Sequence, residues 1–145
     1  TGIGVPPRMR MDLLDNDFVI PAVDDKQLNV YERNFRRTFI HVRDMARGIC
    51  FAMDHIDRMA GQPFNVGHES LNLTKEQIAN AVRELVPYYL HFSDEGHDLD
   101  ARDYEVSYER IRGLGFETAV TLEQGLRELI RVVQVIDCSS PYTNL

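Results

Sequence analysis

Two four-residue signals fix where helices must begin in this chain. Thr74-Lys75-Glu76-Gln77 and Thr121-Leu122-Glu123-Gln124 both have the spacing of a capping box. There the threonine oxygen and the glutamine side chain satisfy opposing backbone N–H groups. Each box heads an apolar stripe at helical spacing: Ile78, Ala81, Val82 and Leu85 after the first, Leu126, Leu129, Ile130 and Val133 after the second. Between them, Tyr88–Phe92 has strand character, 93–103 is an acidic loop, and Tyr108–Leu114 predicts a short helix closed by Gly115. Strands alternating with helices imply an α/β fold.

The first half follows the same alternation. Leu13, Leu14, Phe18, Val19 and Ala22 predict a helix near 12–24, kinked or ended by Pro21. Gln27–Tyr31 and Thr38–Val42 are short β-prone runs. From Asp44, the stripe Met45, Ala46, Ile49, Cys50, Ala52, Met53 and Ile56 predicts an amphipathic helix that buries this face, with Gly61 as its stop. Pro63–Val66 reads as a buried strand ending at Gly67. At 145 residues the length prior allows one compact domain.

Charge narrows the partners. The formal net charge is −7, which disfavours a broadly cationic nucleic-acid surface or an anionic membrane as partner. Five arginines (Arg8, Arg10, Arg33, Arg36 and Arg37) nevertheless cluster in the first quarter, as a solvated rim or a local anion site would require. Two cysteines, Cys50 and Cys138, form no disulfide framework, so a reduced, cytoplasmic setting is expected. No apolar run approaches the roughly 20 residues of a membrane helix, and no signal peptide is visible.

The familiar catalytic patterns fail here. Gly2-x-Gly4 lacks the third glycine of a dinucleotide-binding loop, where Pro7 stands. His91, His97 and the surrounding acids lack metal-ligand spacing, so no metal site is expected. Cys50 reads as a core residue, and no Ser, Cys or Thr occupies a nucleophile motif. Tyr108-x-x-x-Arg112 has the wrong base to lower a tyrosine pKa for hydride chemistry. His41, in a β run, is expected to be a hydrogen-bonded structural residue. No catalytic centre is visible in this chain.

One longer stretch is more specific. Leu28-Asn29-Val30-Tyr31 is followed by Arg36-Arg37-Thr38-Phe39-Ile40-His41-Val42-Arg43-Asp44 and then by Phe64-Asn65-Val66-Gly67. With Arg102-Asp103 and Ile111-Arg112-Gly113-Leu114-Gly115-Phe116, the order resembles the C-terminal half of the extended short-chain dehydrogenase/reductases, specifically the NAD-dependent sugar-nucleotide epimerases and dehydratases. The resemblance covers nearly the whole chain. It implies the C-terminal part of a Rossmann-like fold: the last strands and helices of the sheet plus a small α/β substrate lobe. Residues 1–145 would then be a single substrate-binding portion, the N-terminal portion that binds NAD and carries the catalytic Ser/Thr, Tyr and Lys being absent from this chain.

What the resemblance implies for function is equally definite. The parent would be an enzyme of carbohydrate metabolism, an isomerase or lyase acting by transient oxidation of a nucleotide diphosphate-sugar at C4. This chain alone would be inactive. Its partners would be that sugar nucleotide and the rest of the parent enzyme, with a homodimer formed through helices outside this chain. A non-catalytic binding module of the same fold and a keto-sugar reductase are the alternatives. Carried over by position, Arg37 and Arg102 would clamp the diphosphate, Tyr31 would cover the nucleobase, and Asn72 would be a polar contact before the helix at Thr74. Arg10, in an unusually basic loop, would join the anion site.

Physical chemistry suits those roles. A guanidinium offers two parallel donors to phosphate oxygens and keeps its charge. A helix N-terminus at Asn72–Thr74 would add backbone N–H groups and a positive dipole end. Plain structural roles fit the same residues: a surface ion pair for Arg37, a bridge from Arg102 to Asp98, Asp100 or Asp103, a rim aromatic at Tyr31, a loop cap at Asn72. Two positions depart from the family pattern. Glu32 replaces a glycine, so its turn is expected to be one a side chain allows, and Thr38 replaces an aspartate.

Overall fold

The computed structural model describes residues 1–5, 14–96 and 102–136. In chain order the elements are β1 (Gly2–Ile3), α1 (Leu14–Asp24), β2 (Gln27–Tyr31), β3 (Arg36–Thr38), β4 (Ile40–His41), α2 (Val42–Asp54) and α3 (Ile56–Met59). After a single 3-10 turn at Glu69–Leu71 come β5 (Asn72–Thr74), α4 (Lys75–Leu85), β6 (Tyr89–Ser93), α5 (Glu109–Arg112) and α6 (Leu122–Val133). The class is α/β with parallel pairing, as expected.

The strands form three pairs. β1 lies parallel to β4, β2 parallel to β6, and β3 antiparallel to β5. On β2–β6 the alternation is clean: Leu28, Val30, Leu90 and Phe92 turn inward with Phe18, Phe39 and Ile78. Outward stand Gln27, Asn29 and Tyr31 opposite Tyr89, His91 and Ser93. Behind this sheet α1, α4 and α6 pack through Val19, Ala22, Val82, Leu126, Leu129 and Val133. A third cluster, Met59, Tyr108, Ile111 and Phe116, joins α3 to α5.

Both capping boxes form as the spacing requires. Thr74 and Thr121 each accept the N3 amide while Gln77 and Gln124 reach back to the cap amide. Thr121→Ala is expected to lower stability by about 1 kcal/mol, read from chemical denaturation midpoints at unchanged m-value.

Four expectations change. Pro21 does not end α1, which continues to Asp24, and Asp25 N still reaches Pro21 O at 2.9 Å. The β run at 38–42 stops at His41, whose Nδ1 accepts the Arg43 amide and starts α2. Residues 63–66 form no strand among the described residues; Phe64 and Val66 instead pack on the third cluster.

The fourth change concerns α2. Its predicted buried stripe faces out: Ile49 is 66% exposed, Met45, Met53 and Ile56 are likewise open, and Cys50 is exposed, not a core residue. The covered side carries Asp44 and Gly48. Gly48 is there because a Cβ would run into the Val66 side chain. Periodicity locates a stripe; it does not say which side of the helix the rest of the chain covers.

Candidate functional site

Arg37 sits in β3 with only 4% of its surface exposed. Its Nη1 donates to Arg36 O at 3.1 Å, and its guanidinium carbon lies 5.6 Å from the centre of the Tyr104 ring. A buried guanidinium set over a ring loses side-chain freedom, so its donors are held in place before any ligand arrives. The segment that Arg102 opens runs beside this strand. Tyr104 N donates to Arg36 O at 3.3 Å, Arg36 N donates to Asp103 Oδ1 at 2.7 Å, and Arg36 pairs with Glu105 at 2.6 Å. Arg37 and the Arg102 segment, distant in sequence, therefore adjoin.

Asn72 lies in the paired strand β5, opposite Thr38, while Arg37 is opposite Leu73. Alternation puts Asn72 and Thr38 on one face of the ladder and Arg37 on the other. Both polar atoms of the Asn72 side chain are engaged: Nδ2 donates to Val106 O at 2.9 Å and Oδ1 accepts Val106 N at 3.2 Å. Asn72 thus straps the 102–108 segment to the sheet. Thr38, where the family pattern has aspartate, hydrogen-bonds the Tyr108 hydroxyl.

Tyr31 belongs to the other sheet. Its hydroxyl accepts from Asn29 Nδ2 at 3.0 Å, and its ring lies against the turn at Gly96, where a Cβ would meet it at 2.7 Å. Its link to the arginine strand is Lys75, the first residue of α4, which is 2% exposed. Lys75 Nζ donates to Tyr31 O at 3.2 Å and pairs with Glu32 at 3.3 Å. Glu32 keeps the left-handed geometry of the glycine it replaces (φ +50°) instead of a more permissive turn. That costs about 1 kcal/mol or more for a side chain, and the buried ion pair holds it there. Arg10 lies outside the described residues.

The α4 N-terminus does not take the predicted part of anion cradle. Lys75 N donates to Phe35 O, Glu76 N to Arg33 O, both at 3.0 Å, and Gln77 N to Thr74 Oγ1. The first-turn donors that would face a phosphate are spent on the 32–35 loop.

Two buried polar groups stabilise this frame, and one of them, Asp44, gives no sign of its role in the sequence. Asp44, fully buried, accepts from Ala119 N at 3.0 Å, from Val120 N at 2.9 Å and from Arg47 at 2.6 Å. Burial alone would push its carboxyl up, but the two amides and Arg47 together hold it below its ordinary value. His41, buried as expected of a structural residue, accepts Arg43 N on Nδ1, so Nε2 carries the proton and donates to Glu128 at 3.1 Å. Tyr108 has its phenol pushed up by burial, against the pull of the Thr38 hydrogen bond. It is a protonated structural hydroxyl beside Thr38, and Arg112 pairs with Glu69 at 2.9 Å. No group of three or more metal-ligating side chains occurs among the described residues, and none of their helices is long and apolar enough to cross a membrane.

These features have relatives. Residues 5–67 match the model of the NAD dependent epimerase/dehydratase family. Its fold is also that of solved enzymes of low sequence identity. It is similar to the UDP-glucose 4-epimerase of Thermus thermophilus in complex with NAD (TM-score 0.69, 17% identity, covering 92% of this chain and 44% of that one). A dTDP-glucose 4,6-dehydratase of Bacillus anthracis in complex with NAD gives TM-score 0.67 and 23% identity over 92% of this chain and 42% of that one. A GDP-6-OMe-4-keto-L-xylo-heptose reductase of C. jejuni gives 0.59 and 21% over 74% and 33%. The chain spans less than half the length of these structures.

The family is NAD-dependent, but the described residues do not fit the dinucleotide. A pyrophosphate cradle needs a glycine-rich turn between a strand and a helix N-terminus. The space beside Gly2 is filled by Met45 and Val42, and a Cβ on Gly4 would stand 2.7 Å from His41 Nε2. Those glycines serve close packing.

Proposed function

We propose that this chain is the substrate side of an NAD-dependent epimerase/dehydratase, binding the diphosphate of a nucleotide-sugar while another portion of the parent enzyme holds NAD. The observation that carries this reading is Arg37: a buried guanidinium, over the Tyr104 ring, on the strand that adjoins the Arg102 segment. A permanent cation held in place on its strand offers a ligand anion charge-assisted hydrogen bonds at little cost in ordering. The exposed stripe on α2 and the two-residue parallel ladder β1–β4 support a larger sheet around this chain, because parallel sheets are covered on both faces. The roles of this chain are affinity and orientation: Arg37 and Arg102 for the diphosphate, Tyr31 for the base, with Asn72 holding the Arg102 segment in place. Arg10 joins the anion site in this reading.

Titration with UDP, GDP, dTDP and CDP tests it. At least one should bind the 145-residue chain, and Arg37→Ala should weaken it by about 1.5–3 kcal/mol, the scale of a hydrogen bond to a charged group. A melting curve of the variant separates lost binding from lost fold. An unchanged dissociation constant in a folded Arg37→Ala variant, or no binding of any of the four by the parent chain, overturns the assignment.

A further inference from the structure

The outward face of the β2–β6 sheet is not used by the reading above, apart from Tyr31 at its end. It borders a cleft of about 690 Å³, a volume in the range of small-molecule sites. The outward positions Gln27, Asn29, Tyr31, Tyr89, His91 and Ser93 include no Lys, Arg, Asp or Glu, although 27% of the chain is charged. Here the row consists of amides, an imidazole, a serine hydroxyl and aromatic rings. Tyr89 has 69% of its surface exposed, whereas its neighbour Tyr88 turns inward and donates its hydroxyl to Ala79 O at 2.6 Å. Asp17 and Asp25, from α1 and the turn after it, close the far wall.

We propose that this cleft binds a neutral saccharide of one or two units. Sugar rings present C–H faces that pack on an exposed aromatic ring, and Tyr89 offers one. Their hydroxyls are donor and acceptor at once, and side-chain amides supply both functions at Gln27 and Asn29, with carboxylate acceptors at Asp17 and Asp25. Among the described residues no Lys or Arg lines the cleft, and its two carboxylates repel phosphate, so its ligand class differs from the diphosphate assigned to Arg37. The site stands independently of that assignment.

The test follows side-chain and backbone NMR resonances of the full chain as maltose, cellobiose or N-acetylglucosamine is added to about 20 mM, the range of weak sugar binding. Saturable shifts are expected at Gln27, Asn29 and His91 with at least one of these sugars. Tyr89→Ala should weaken that response about ten-fold or more with the melting temperature unchanged, since its ring is mostly solvated. Adding UDP should leave the sugar response in place. Four outcomes overturn the proposal: no saturable shift with any sugar, an undiminished response in Tyr89→Ala, displacement of the sugar by UDP, or shifts that follow protein concentration because a second copy covers the face.

Discussion

Asp44→Ala is expected to destabilise the fold by about 3 kcal/mol or more, the cost of leaving buried amides without an acceptor and removing a paired buried charge. The amides of Ala119 and Val120 lie 75 and 76 positions further along the chain, so this carboxylate pins the turn before α6 to the first turn of α2. Urea denaturation should show a lower midpoint at an unchanged m-value. The pH dependence follows from the lowered carboxyl pKa. In the unfolded chain Asp44 titrates near its ordinary value of about 4, in the folded chain lower, so its contribution is complete above about pH 4 and lost as the pH falls through the folded value. Asp44→Ala should flatten that part of the acid limb. An Asp44→Ala midpoint equal to that of the parent would show that the turn finds other partners.

Lys75→Met should cost a comparable amount, about 3–5 kcal/mol, because it strands the Glu32 carboxylate beside a buried backbone carbonyl. The methionine keeps most of the volume, so the loss reads the charge and its hydrogen bonds. The double variant Lys75→Met, Glu32→Gln should recover much of it, since neither charge is then left unpaired. Calorimetry of the two single variants and the double gives the coupling directly. If the two changes simply add, the left-handed turn at Glu32 is held by something other than this pair.

The local elements are legible in the sequence and the long-range ones are opaque. Both capping boxes lie within four residues, so the chemistry that fixes α4 and α6 can be read without knowing the fold. β2 is readable at its observed bounds, because a clean alternation has a single reading. By contrast, Asp44 looks like an ordinary acidic residue in a first helical turn, and its true partners lie in a turn near the far end of the chain. Lys75 gives no signal at all: a lysine inside a capping box reads as a solvated side chain until the fold places Tyr31 and Glu32 around it. The α2 stripe is visible but its direction is not, since amphipathicity specifies a face without naming what meets it.

The loop over the start of α4 has a consequence for how any anion could be held. Carbonyl oxygens of Arg33 and Phe35 plug that helix end, so an approaching phosphate meets lone pairs where it would otherwise find amide hydrogens. Attraction must come from cationic side chains rather than from a main-chain nest. Such a grip fades with ionic strength wherever solvent enters.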